Sequence, residues 1–149
     1  GCGEIFSKID VSKVGMHHDY IGAIPACWQI YTEILGKEFS DPEYFKVHRI
    51  TVDAYCAQHI GNQDERRARQ SANVHLFALY LKFLKKATKI KRDWPPLIQR
   101  SHPQWLTVND IIKAKDTSTH CDLVKQWGQS VWDAYEDCHT DLIMLYNHL

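Results

Sequence analysis

The chain has 149 residues, of which 44% are hydrophobic and 24% are charged, a composition that is typical of one globular domain and excludes a disordered tail. Lys and Arg together number 18, as do Asp and Glu, so no net charge steers the protein towards nucleic acid or an anionic membrane. We therefore expect one domain over residues 1–149 that binds neither. Nine His and five Cys raise the expectation of metal or catalytic chemistry.

The cysteine pattern and the absence of long apolar runs predict a cytoplasmic protein. No apolar stretch approaches the ~20 residues of a membrane span, and the start of the chain lacks the apolar centre of a signal peptide. Five cysteines spread along the chain do not match the dense framework of a small secreted domain, so we expect reduced thiols. The chain opens Gly1-Cys2-Gly3 without Met, which leaves open whether upstream residues, among them a further cysteine, are missing.

The first half of the chain predicts an irregular segment followed by helices. Residues 1–22 hold four of the seven glycines and read as an irregular lead-in. Helix one is expected from Pro25 to Gly36, because apolar side chains recur there at helical spacing. The sequence Ser40-Asp41-Pro42-Glu43 is a start signal for helix two, which we expect to run to about His59.

The second half predicts three more helical segments. Helix three is expected from about Glu65 to Lys89 and is apolar over so wide a face that it should be central. Residues 93–103 hold three of the five prolines and predict a connector. Thr107 should cap a short helix that ends near Ala114. A last helix should start at Asp116 or Ser118 and run to Tyr146. The chain is therefore expected to be an all-α bundle of four or five helices.

Three of these helices can each turn one histidine inward. The residues are His48, His75 and His139. Bundle cores build metal sites from side chains on facing helices, so we predict a core site for zinc, iron or copper with an open position for a small-molecule substrate. His48 and His59 share a face of helix two but lie about 16 Å apart at the ~1.5 Å rise per residue, so they cannot bind one metal ion. Asp53, Tyr55 and His59 are the candidates for orienting the ligands or handling protons.

A second metal site is predicted at the start of the chain. Cys2, His17 or His18, and Cys27 offer thiolates and an imidazole that can clamp the irregular segment through zinc. Cys56 and His59 also stand three residues apart, but no orienting group accompanies them, so nucleophilic catalysis is not favoured.

A non-catalytic alternative explains the same residues. In it, the buried His, Asp and Tyr side chains form a satisfied polar network that fixes helix register in an interaction module. His120 is expected to lie exposed in the first turn of the last helix and to be silent when replaced. The basic strip from Lys82 to Arg92 is read as a solvated helix end, and the opposite charges of residues 1–92 and 93–149 favour self-association into a homo-oligomer.

Four segments of the chain resemble an uncharacterised bacterial family of unknown function. They are residues 18–23 (HDYIGA), 27–31 (CWQIY), 47–59 (VHRITVDAYCAQH) and 70–76 (QSANVHL). The family pattern begins C-P-x-C-G; this chain keeps Cys2-Gly3 but not the first cysteine, and has Ile60 where the pattern has proline. The resemblance implies no activity. It implies that the signature includes His18, His48, Asp53, Tyr55, His59, Gln70, His75 and His139, and its cysteine pair favours a zinc clamp with His18 or Cys27.

Overall fold

The computed structural model describes residues 2–4, 19–84 and 105–147 and confirms the all-α prediction. Seven helices lie in the described part, more than the four or five expected. They are α1 Pro25–Ser40, α2 Pro42–Phe45, α3 His48–Gln58, α4 Arg66–Leu84, α5 Val108–Ile112, α6 Thr117–Asp133 and α7 Glu136–Asn147. The predicted connector at 93–103 and the last residues of predicted helix three lie outside the described residues.

The larger count arises because two predicted helices are each broken by a short turn. Predicted helix two divides into α2 and α3 at Lys46 and Val47, both of which keep right-handed helical dihedral angles. The predicted last helix divides into α6 and α7 at Ala134 and Tyr135, where Ala134 is also right-handed. The turn leaves Tyr135 in the core, with its hydroxyl donating to the Ala57 carbonyl.

Helix α3 is the centre of the fold. It packs against α1, α4 and α6, and eight of its eleven residues are buried. Polar side chains within this core have partners on other elements. The Gln58 amide donates to the Leu106 carbonyl and accepts from the Trp127 indole, which fixes α3 against α6 and the segment that precedes α5. None of the described helices is both long enough and apolar enough to cross a membrane.

Two glycines let the segment before α1 lie against the segment after α3. The Gly22 N–H donates to the His59 carbonyl (2.9 Å), and Ile21 and Ile60 form an isolated antiparallel bridge. A Cβ on Gly22 would overlap the Ile60 carbonyl oxygen, and one on Gly61 would lie 2.7 Å from the Tyr20 carbonyl oxygen. Only glycine therefore allows this approach, which brings the start of α1 to the end of α3.

Gly22→Ala is expected to lower the free energy of unfolding by about 1–3 kcal/mol, because the added methyl forces the two backbones apart. Urea denaturation monitored by circular dichroism measures the change. Gly36→Ala is the matched control: nothing lies within 4 Å of its Cβ position in α1, so it should add roughly 0.5–1 kcal/mol. Equal stability of the two variants would contradict the close approach at Gly22.

Candidate metal centre

Cys27 and His59 meet where α1 begins and α3 ends. Cys27 is the third residue of α1, and His59 is the C-cap residue of α3. The pairing of residues 21–22 with 59–60 places Cys27 Sγ 3.1 Å from His59 Nε2. Both side chains are almost completely buried.

Cys2 approaches the same point from the start of the chain. Its Sγ lies 3.9 Å from Cys27 Sγ. The Trp105 indole donates to the Cys2 carbonyl (3.1 Å), and the Thr107 hydroxyl donates to the Glu4 carboxylate (3.2 Å). The segment that leads into α5 therefore holds residues 2–4 against the site. We call Cys2, Cys27 and His59 the N-terminal cluster.

The N-terminal cluster has the sulfur spacing of a tetrahedral metal site, and its 3.1 Å contact between Cys27 Sγ and His59 Nε2 would lengthen on ion binding. Its three ligand atoms all lie within 4.8 Å of one another, and it is the one such group of three among the described residues. Zinc–sulfur bonds of about 2.3 Å at the tetrahedral angle place two sulfurs roughly 3.8 Å apart, close to the separation of Cys2 and Cys27. A disulfide would need the sulfurs at about 2.05 Å. The cysteines are free thiols.

The protonation pattern also suits a cation. His59 Nδ1 donates to the Tyr55 carbonyl (2.9 Å), which leaves Nε2 as the ring nitrogen that faces the Cys27 sulfur. A hydrogen bond from Cys27 lowers the pKa of the Cys2 thiol, and the same bond, with burial, raises the pKa of Cys27. Cys2 is thus the thiolate and Cys27 the thiol of the pair, and zinc binding would displace the Cys27 proton.

Tyr55 borders the cluster. Its ring stacks on Tyr31 and lies 4.2 Å from the His59 ring, centre to centre. Burial and the neighbouring Cys27 raise the pKa of the Tyr55 phenol. The hydroxyl is buried and has no hydrogen-bond partner of ordinary geometry in the described part of the chain. Tyr55 is therefore a neutral wall of the site whose hydroxyl faces the Cys27 sulfur.

A small open cavity of about 90 Å³ adjoins the cluster. Gly3, Glu4, Gly22 and Ile24 line it together with the three ligand residues. The Glu4 carboxylate is outside the group whose atoms lie within 4.8 Å, so it stands back from the ligand atoms. Cys2, Cys27 and His59 all border this cavity, so a small molecule in it could reach an ion that they hold.

The structure does not bring His48, His75 and His139 together as one group of ligand atoms. Each has its own partner. His48 Nδ1 donates to Glu38 (2.9 Å), and His75 Nδ1 donates to Asp53 (2.8 Å). His139 Nε2 donates to the Trp132 carbonyl, and its ring stacks on the Trp132 indole. His18 and His17 lie outside the described residues.

A second polar group surrounds Glu38, which has no exposed surface. Its carboxylate accepts hydrogen bonds from the Thr51 hydroxyl, from His48 and from His120 Nε2 (3.0 Å). The expectation that His120 is exposed is wrong. Its side chain is completely buried because α6 begins against α2 and Glu38, and its Nδ1 has no partner among the described residues. We call Glu38, His48, Thr51 and His120 the Glu38 network.

Two other candidate residues, Asp53 and Cys56, are buried in the core. Asp53 is buried and accepts from both His75 and Arg49, which is the orienting contact that the sequence analysis assigned to a carboxylate. Burial, with the negative charge of Asp53, raises the pKa of Cys56 to about 12. Cys56 therefore stays a thiol at neutral pH, and it is not part of a nucleophilic pair with His59.

Residues 1–136 of the chain match the model of a family of unknown function, DUF5946. This match covers most of the chain and agrees with the resemblance seen in the sequence. No curated protein and no solved structure shows significant similarity to the chain.

Proposed function

This chain belongs to the DUF5946 family, whose function is not established, and we propose that it is a metal-binding protein in which Cys2, Cys27 and His59 hold one zinc-like ion. The observation that carries the proposal is the convergence of two sulfurs and one imidazole nitrogen within 4.8 Å. Thiolate and imidazole ligands favour zinc among the common divalent ions, and iron or copper are the alternatives.

The ion would join three parts of the chain that are distant in sequence. Residues 2–4, the start of α1 and the end of α3 each supply one ligand. Binding would therefore stabilise the fold, because a site assembled from distant segments does not exist in the unfolded chain.

The open cavity supports an enzymatic role for the same ion. Two cysteines and one histidine with a free fourth position form a ligand set that catalytic zinc sites use, where the ion activates a water molecule or polarises a substrate. Glu4, which accepts a hydrogen bond from Thr107, is the carboxylate among the described lining residues that could assist such a water molecule. The substrate would be small, since the cavity measures about 90 Å³.

The second candidate function, a non-catalytic interaction module, rests on the satisfied partners of the other histidines. The Glu38 network joins α1, α3 and α6, and the pair of Asp53 and His75 joins α3 to α4. Such contacts fix helix register without a metal. The N-terminal cluster is favoured over His48, His75 and His139 as the ligand set, because among the described residues the ligand atoms of those three histidines form no group within reach of one ion.

Elemental analysis of the purified chain should find about one equivalent of zinc-like metal, because the ligands are largely buried. Replacement by Co(II) should then produce strong near-ultraviolet bands from sulfur-to-metal charge transfer, which a site of three histidines cannot give. Azide should shift the visible Co(II) bands if the fourth position is open. The proposal would be refuted if the protein were isolated without metal and bound neither zinc nor Co(II). If azide left the visible Co(II) bands unchanged, only the open fourth coordination position would be refuted.

A further inference from the structure

A larger open cavity lies where α3, α4 and α6 meet, and it shares no residue with the N-terminal cluster. Its volume is about 450 Å³, within the range of small-molecule sites. Val47 and Ile50, each 3% exposed, form its floor, and Phe83 from α4 forms one wall. The interior is thus apolar and belongs to the packed core beneath it.

The rim of this cavity is cationic. Lys46, Lys82 and Lys125 line it, and none of the described lining residues carries a carboxylate. Lys46 and Lys125 have partners only in exposed acids one turn away, Glu43 and Asp122. Lys82 has no ion pair within the described ranges. Three ammonium groups around an apolar floor complement a molecule with an apolar body and one anionic head.

We propose that this cavity binds a free medium-chain alkyl carboxylate. The alkyl chain would lie over the Val47 and Ile50 floor against Phe83 and the aliphatic stems of the lysines, and the carboxylate would accept hydrogen bonds from the lysine ammonium groups. The floor selects an apolar body over a nucleotide, because the lining residues that the structure describes include no aromatic pair to stack on a base and no glycine-rich loop to hold phosphate.

Cys121 provides a reporter for occupancy. It lies on the cavity wall, one helical turn before Lys125 on the same face of α6, and is partly accessible. Bound ligand should slow its alkylation by N-ethylmaleimide. Cys138 on α7 is also partly accessible but does not line the cavity, so its alkylation rate is the internal reference.

The test is calorimetric titration of the full chain with decanoate below its micellar concentration, beside decanol and decyltrimethylammonium. Decanoate should bind most tightly and protect Cys121 but not Cys138. Lys82→Gln should weaken its binding roughly two- to fivefold, the size of one exposed charge contact, while exposed Lys115→Gln changes nothing. Cys121→Trp, checked for folding by circular dichroism, should block binding by filling the cavity.

Three results would overturn the proposal. One is decanol binding as tightly as decanoate with no effect of Lys82→Gln, since the rim would then have no role. Another is the absence of Cys121 protection. The third is binding to phosphatidylserine vesicles without binding of dissolved decanoate, which would assign the lysines to a membrane surface. None of these results bears on the metal content of the N-terminal cluster.

Discussion

Glu38→Ala should lower the free energy of unfolding by about 3–5 kcal/mol, the usual cost of removing one partner from a buried charged network. Glu38 is completely buried and accepts from Thr51, His48 and His120. Without the carboxylate, His120 would have neither ring nitrogen bonded within the described residues while remaining inside the core. Chemical denaturation measures the loss.

Matched variants separate the network from the helix that carries it. Glu33→Ala, on the exposed face of the same helix α1, should change stability by less than about 0.5 kcal/mol. Glu38→Gln should lower the free energy of unfolding by about 1–3 kcal/mol, less than Glu38→Ala does. The amide keeps the shape of the side chain, but its NH2 group faces a side chain that donated a hydrogen bond to the carboxylate. Equal effects at positions 33 and 38 would contradict the network.

His120→Ala is now expected to be costly rather than silent. Position 120 is in the first turn of a helix, where side chains are often solvated, and nothing local in the sequence distinguishes it from Thr119. Its burial arises from contact with Glu38, 82 residues earlier in the chain. A tertiary contact of this kind has no periodic signature, so sequence patterns could not reveal it.

Helix starts, in contrast, were predictable because their signals are local. Asp41, Thr107 and Asp116 each accept a hydrogen bond from a backbone N–H of the helix they begin. Helix breaks were not predictable for the complementary reason. Lys46 and Ala134 keep helical dihedral angles, so the apolar spacing passes through each break with little change of phase.

The candidate site was likewise predictable only where its residues carry a local sequence signal. Cys2 and Cys27 were grouped from residue type and position near one end of the chain. His59 was placed among the proton-handling candidates, because its position in the last turn of a helix explains a histidine without any metal. The missing information was the pairing of residues 21–22 with 59–60. Gly22 and Gly61 are its only sequence signal, and a glycine alone does not name the backbone that it approaches.

Cys27→Ser should abolish tight metal binding and, with it, the stabilisation that metal provides. Cys27 is the central ligand of the cluster, 3.9 Å from Cys2 Sγ and 3.1 Å from His59 Nε2. Changes to residues that only support a ligand weaken metal binding by about 10–100-fold, so loss of a ligand should exceed that. Competition with a chromophoric chelator measures the affinity.

The thermodynamic consequence distinguishes a bound ion from adventitious metal. Zinc at about a thousandfold above its dissociation constant should stabilise the native chain by about 4 kcal/mol, provided that the unfolded chain does not bind it. Cys27→Ser and His59→Ala should lose this increment. Cys138→Ser should keep it, because Cys138 is a partly exposed thiol outside the cluster.

Two outcomes would contradict the cluster. If zinc stabilised the unsubstituted chain and these three variants equally, the ion would be bound elsewhere. If His48→Ala and His75→Ala lost the zinc-dependent stabilisation as Cys27→Ser does, the ion would be bound by the histidines of the helix core. The cluster predicts that those two variants retain both the zinc and the increment, since neither His48 nor His75 belongs to the group of ligand atoms that Cys2, Cys27 and His59 form.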